Sequence, residues 1–127
     1  MRAGDTFTFV DKKLDNHLWV VISDPMLDVA DPVVIVSLTT YKEGKDRTCV
    51  LEPGDHPFIR HPSVVYYIGA MDVSNAGLES CANEGRLLLQ GAVSPEVLAR
   101  VRQGAAQSPF IPEGCRKTLI RQGLIDP

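Results

Sequence analysis

The residues best suited to chemistry gather in one short run, Leu51-Glu52-Pro53-Gly54-Asp55-His56-Pro57-Phe58-Ile59-Arg60-His61-Pro62-Ser63. Histidine has the ordinary pKa nearest neutral pH, so it can take or give a proton in water without special help. Arginine offers a planar fork of donors that matches a phosphate, and a serine hydroxyl adds a further hydrogen bond. His56, Arg60 and Ser63 therefore present a general base, a phosphate clamp and a hydroxyl donor from one segment. Both histidines of the run precede a proline, which steers them to extended backbone, so the segment reads as a shaped loop. A plainer reading stands beside this one: a histidine after aspartate in a turn also serves simply to bond backbone. For His61 that structural reading is the stronger of the two.

Other candidates lie outside the loop. His17 opens the apolar run Leu18-Trp19-Val20-Val21-Ile22, straight after a polar stretch bearing Lys12 and Lys13. Thr39 and Thr40 end the clearest strand, where side chains of a small barrel can face a cleft. Lys42, Lys45 and Arg47 flank a polar turn and read as a solvated hairpin tip. Trp19 sits mid-run and reads as core. No P-loop, GxGxxG, GxSxG or HExxH motif occurs. Cys49, Cys81 and Cys115 form no CxxC pair and are odd in number, so they read as three reduced thiols. Neither metal nor cofactor is expected.

The elements that must position these groups are short strands first and helices second. Thr6-Phe7-Thr8-Phe9-Val10 alternates as a half-buried strand does, with Phe7 and Phe9 on one face. Leu18 to Ile22 is a continuous β-branched run, as in a strand buried on both faces. Val33 to Thr40, Cys49 to Leu51 and Val64 to Ile68 complete the set, with Glu52-Pro53-Gly54-Asp55 as a tight turn. Ser94-Pro95-Glu96 opens a helix with N-cap, first-turn proline and acid in order, and Leu98, Val101 and Ala105 follow at helical spacing. A second helix is expected from Ile111-Pro112-Glu113 to about Gln122, stopped by Gly123. The reading is one α+β domain over residues 1–127, with a small barrel at about 4–80 and one or two C-terminal helices within 94–123.

Charge and hydropathy narrow the function classes. The 127 residues carry a net charge of −3, which disfavours nonspecific nucleic-acid binding through overall charge. The balance is uneven, since residues 94–127 hold five Lys/Arg against three Asp/Glu. The longest uncharged stretch, His61 to Met71, is far shorter than the ~18 apolar residues of a membrane span. The opening MRAGDTF lacks an apolar segment and does not read as a secretory signal, so a cytoplasmic protein without membrane contact is expected.

The order of these features resembles the PemK/MazF-like toxins of bacterial toxin–antitoxin modules. The resemblance runs over roughly residues 4–80: Gly4-Asp5-Thr6-Phe7 opens the first strand, a polar loop leads to His17-Leu18-Trp19-Val20-Val21-Ile22-Ser23, the next strand ends at Thr39-Thr40, and Ser63-Val64-Val65 begins a later one. Lys12 and Lys13 then occupy the family's basic first loop and His17 its basic position before the strand, while Leu18 replaces a proline. The family's catalytic first-loop arginine has no counterpart, which leaves His17 or His56 to take its part.

That resemblance implies a small SH3-like barrel, metal-independent cleavage of single-stranded RNA, a homodimer and an antitoxin partner. In such a reaction the ribose 2′-hydroxyl attacks phosphorus and leaves a cyclic phosphate and a 5′-hydroxyl. His56 is the favoured proton carrier, with Arg60, Lys12 or Lys13 stabilising phosphoryl charge and Thr40 or Ser63 donating to the phosphate. Thr39 and Arg47 extend the RNA contact. Tyr41, Tyr66 or Tyr67 could stack on a base, with at most one of the last two serving because neighbours in a strand face opposite ways. The alternative is a non-catalytic small-barrel module that acts through a protein partner.

Overall fold

The β-branched runs of the first half form strands, and the reason two of them lack polar alternation is visible in the layers. The structure is a computed structural model and describes every residue except Lys12, Leu14, Asp15, Val29 and Asp31. The elements are β1 (Thr6–Phe9), β2 (Trp19–Val21), β3 (Val33–Thr40), β4 (Val50–Leu51), β5 (Ser63–Val73), α1 (Asn75–Asn83), β6 (Leu87–Leu89), α2 (Pro95–Gln107) and α3 (Glu113–Arg121). The strands make one sheet in the order β4-β5-β3-β2-β1-β6, with every neighbouring pair antiparallel.

Both faces of the central strands are covered. On one face Val20, Val34, Val36, Leu38, Val65 and Tyr67 pack under α2 and α3, against Val97, Val101, Ala105, Cys115 and Leu119. On the other, Phe7, Trp19, Val21, Val33 and Ile35 pack with Leu78 of α1 and Leu87 of β6. Burial of each Val or Ile on these faces contributes roughly 1.5–3 kcal/mol, which favours β-branched residues at consecutive positions. Trp19 is core, as its place in the run implies. Phe7 and Phe9 do share a face, with rings edge to face at 5.8 Å.

Three features differ from the sequence expectation. β5 does not stop at Ile68. It bulges where Ile35 faces Met71 but Ser37 faces Tyr66, and pairs on to Val73. Secondly, α1 and β6 lie in a stretch assigned to no element. The α1 segment NAGLESCAN carries glycine and two asparagines, poor helix formers, and is held by its Ser74 N-cap and by burial of Leu78. Finally, the sheet is open: among the described residues no ladder joins the edge strands β4 and β6.

The two C-terminal helices pack on the sheet, and three of their arginines tie them in place. Arg100 donates to Asp55 Oδ1 at 3.2 Å and to the Val50 carbonyl at 2.9 Å. Arg102 Nε donates to the Ile22 carbonyl at 2.8 Å. Arg116 reaches the carbonyls of Ala106 and Ser108, at 2.8 and 2.7 Å, and so satisfies acceptors left over at the end of α2. The expected stop of α3 is present: Gly123 has φ +72°, Leu124 N donates to Leu119 O and Gly123 N to Ile120 O, a Schellman ending.

Candidate active site

Antiparallel order decides which chain ends meet. Trp19 faces Ser37, and Thr40 faces Ser63, so the start of β2, the end of β3 and the start of β5 lie at one end of the sheet. His17, Thr39, Thr40 and Ser63 are carried there by their strands. The loop between β4 and β5 arches over the same end. Its base is a closed turn in which Asp55 N donates to Glu52 O at 3.0 Å and Glu52 N to Asp55 Oδ2 at 2.8 Å. Arg100 then clamps Asp55 from α2.

The result is an open cleft of about 600 Å³. It gathers six of the residues singled out by sequence, namely His17, Thr39, Thr40, His56, Arg60 and Ser63. All three histidines of the chain line it, together with Arg60, and among the described residues no Asp or Glu does. That lining makes a local site suited to anions in a chain whose net charge is −3.

The roles within the cleft are unequal. His56 is 3% exposed. Its Nδ1 accepts the Phe58 amide at 3.0 Å, which assigns the ring proton to Nε2, and Nε2 lies 3.1 Å from the Gly91 carbonyl. Thr6 Oγ1 lies 3.3 Å from the same nitrogen and donates to the same carbonyl. Both ring nitrogens are thus engaged by the fold. His17 and His61 are exposed. His61 Nδ1 lies 3.3 Å from the Pro62 carbonyl, so a proton on Nδ1 leaves the Nε2 lone pair available.

The hydroxyls divide similarly. Ser63 is buried and donates to the His61 carbonyl at 3.0 Å, so its proton is aimed at the loop. Thr39 Oγ1 accepts from Lys45 Nζ at 2.8 Å, and the same ammonium reaches the Thr40 carbonyl at 3.1 Å. Arg60 and Thr40 are exposed at the cleft.

Three of the expected RNA contacts, Lys13, Tyr41 and Arg47, fall elsewhere. Lys13 is exposed but does not line the cleft, and Lys12 lies outside the described residues. Tyr41 and Arg47 pair with each other at 3.1 Å beyond the cleft lining. Tyr67 is fully buried with its hydroxyl on the Val101 carbonyl at 2.7 Å, while Tyr66 is 45% exposed, so the two do face opposite ways. Sequence reasoning missed Asn16, Phe58 and Gln90 as lining residues. Phe58 was in view within the histidine loop, but its side chain had no partner in the pattern. Gln90 follows a strand that was not recognised. Among the described residues no group of three His, Cys, Asp or Glu is gathered as a metal site.

Compared with known proteins, the chain matches no family model and no curated protein.

Proposed function

We propose that the chain is a metal-independent endoribonuclease acting on single-stranded RNA, the toxin of a PemK/MazF-like toxin–antitoxin module. The observation that carries this reading is the cleft that collects all three histidines and Arg60 and, among the described residues, no carboxylate. Such a lining favours a polyanion and can move protons near neutral pH. The SH3-like barrel of that family rests on the resemblance alone, since among the described residues the antiparallel sheet is open between β4 and β6.

In the proposed reaction His61 Nε2 takes the proton of the ribose 2′-hydroxyl as its oxygen attacks phosphorus. The bond from phosphorus to the 5′-oxygen breaks, and His17 gives that oxygen a proton. The products are a 2′,3′-cyclic phosphate and a 5′-hydroxyl end. Arg60 and the Thr40 hydroxyl stabilise charge on the non-bridging oxygens. His56, favoured as proton carrier from sequence, is reassigned to holding the loop because its ring atoms are already bonded to backbone. A homodimer and an antitoxin partner follow from the resemblance, and with the cytoplasmic location expected from the sequence they belong to the same proposal. No helix of the described residues is long and apolar enough to cross a membrane.

A second reading, the non-catalytic module, has one observation in its favour: β5 exposes Tyr66, Ile68 and Met71 by 43–55%, an apolar row open to a protein partner. Induction of the chain alone in a bacterial host, with growth followed and RNA 5′ ends mapped, separates the two. Growth arrest with new 5′-hydroxyl ends, lost in His61→Ala, is the expected result. Normal growth with intact RNA would overturn the nuclease in favour of the module.

A further inference from the structure

Two cleft side chains have no part in the proton or phosphate chemistry. Phe58 is 43% exposed and lines the cleft, so core packing does not account for its ring. Gln90 lines the same cleft half-buried, and its Nε2 donates to Thr8 Oγ1 at 3.0 Å. The His56 imidazole connects the two segments. Nδ1 accepts from the Phe58 amide, and Nε2 meets the carbonyl of Gly91, the residue after Gln90. The aromatic ring and the amide are thus carried by backbone tied to a single buried ring.

A glutamine amide has two N–H donors and an oxygen with two lone pairs. Thr8 occupies one N–H and orients the amide, which leaves a second N–H and the oxygen to present an edge to a ligand. That edge matches the adjacent donor and acceptor of a nucleobase, as glutamine matches adenine. An exposed aromatic ring lining the same cleft supplies a face on which an unpaired base stacks.

We infer that Phe58 and Gln90 form a nucleobase subsite, in which Phe58 stacks on a base splayed from single-stranded RNA and Gln90 reads its hydrogen-bonding edge. The inference rests on the RNA reading and adds the residue that chooses the base. Thr8 is the positioning residue for Gln90.

The test measures binding of the full chain to four labelled homopolymer oligoribonucleotides (A, U, C and G) by fluorescence anisotropy, with a thermal melt of each variant as a fold control. Phe58→Ala is expected to weaken the preferred oligonucleotide roughly tenfold, and Phe58→Tyr to restore it. Gln90→Ala is expected to level the four affinities, and Thr8→Val to level them partly with the stack intact. Equal affinities in the wild type, or a preference unmoved by Gln90→Ala in a folded protein, would overturn the subsite alone. A wild-type chain that binds none of the four would overturn the RNA reading, and the subsite with it.

Discussion

His56 Nε2 meets the Gly91 carbonyl at 3.1 Å, and this contact spans the two free edges of the sheet. His56 lies in the loop that leaves β4, and Gly91 in the segment that leaves β6. What no ladder closes, one side chain bridges. Thr6 of β1 shares the same carbonyl, so three parts of the chain are fixed at a single buried point. The cleft beside it therefore owes its shape to a polar tie between loops, in addition to the strands.

This assigns His56 a structural load that can be measured. Loss of buried hydrogen bonds in His56→Ala should lower stability by about 1–3 kcal/mol in urea denaturation. His56→Asn keeps an acceptor for the amide two residues on, as in an Asx turn, and should lose less. If RNA is cleaved, residual activity of His56→Asn should keep the wild-type pH profile, since the proton carriers are untouched. A profile that loses one limb would return His56 to the chemistry.

Gly104 of α2 has the least room for a side chain of any glycine in the chain. A Cβ there would lie 2.1 Å from the Tyr67 hydroxyl and 2.9 Å from Cys49 Cβ. Gly104→Ala should destabilise by about 1–3 kcal/mol or more, through overpacking and loss of the Tyr67 bond to Val101 O. Tyr67→Phe removes the clashing oxygen, so the double variant should be more stable than the two single losses predict by addition. Strict additivity would show that α2 shifts instead.

How far the sequence could be read depended on whether local pattern or distant contact decides the structure. Ser94-Pro95-Glu96 and Gly123 set helix ends by local chemistry, and both helices they bound were legible. The run from Leu18 to Ile22 was legible as doubly buried because apolar burial on both faces leaves its mark on every residue. Leu87-Leu88-Leu89 was not, since a three-residue edge strand exists only by pairing with β1. α1 fails by intrinsic propensity and is held by packing. In the site, the convergence of His17, Thr40 and Ser63 follows from strand order, which a motif does not encode. That His56 turns inward while His61 stays exposed is set by partners 35 and 50 residues away in sequence, Gly91 and Thr6.

Asp46 should give the fold a distinct acid limb. Partial burial works to raise its carboxyl, but bonds from the Thr48 hydroxyl, the Ser108 hydroxyl and the Thr48 amide outweigh it and hold it below the ordinary 3.8. Ser108 donates at 2.7 Å, which ties the 46–48 turn to the end of α2. A carboxyl depressed in the folded state stabilises above its unfolded pKa and loses that contribution as pH falls through the folded value. Thermal melts from pH 5 downward should therefore show Tm falling most steeply below about pH 4, and Asp46→Asn should flatten that fall. An unchanged slope in Asp46→Asn would place the acid limb on other carboxylates.

The three thiols should react at different rates. Burial, then the charge and hydrogen bond of Asp72, pushes Cys115 up to about 12, and burial raises Cys49 against the opposing influence of Tyr67 and Arg100. A raised pKa keeps each as the unreactive thiol at neutral pH, whereas Cys81 is half-buried on α1. Alkylation of native protein at pH 7.5, followed by mass spectrometry, should label Cys81 first, with the other two following only on unfolding. Early labelling of Cys115 would show that α3 opens locally.

Arginines of similar charge should separate cleanly by what they touch. Arg60 is exposed on the cleft, whereas Arg102 is half-buried with its Nε on the Ile22 carbonyl. If Arg60 contacts a phosphate, Arg60→Ala should weaken RNA binding across sequences, reduce the salt slope by about 1, and leave Tm nearly unchanged. Arg102→Ala should do the reverse, because it strands the carbonyl of buried Ile22 and removes a clamp between α2 and the residue that follows β2, at about 1–3 kcal/mol of stability. A salt slope that falls in Arg102→Ala and not in Arg60→Ala would move the anion site from the cleft to the helices.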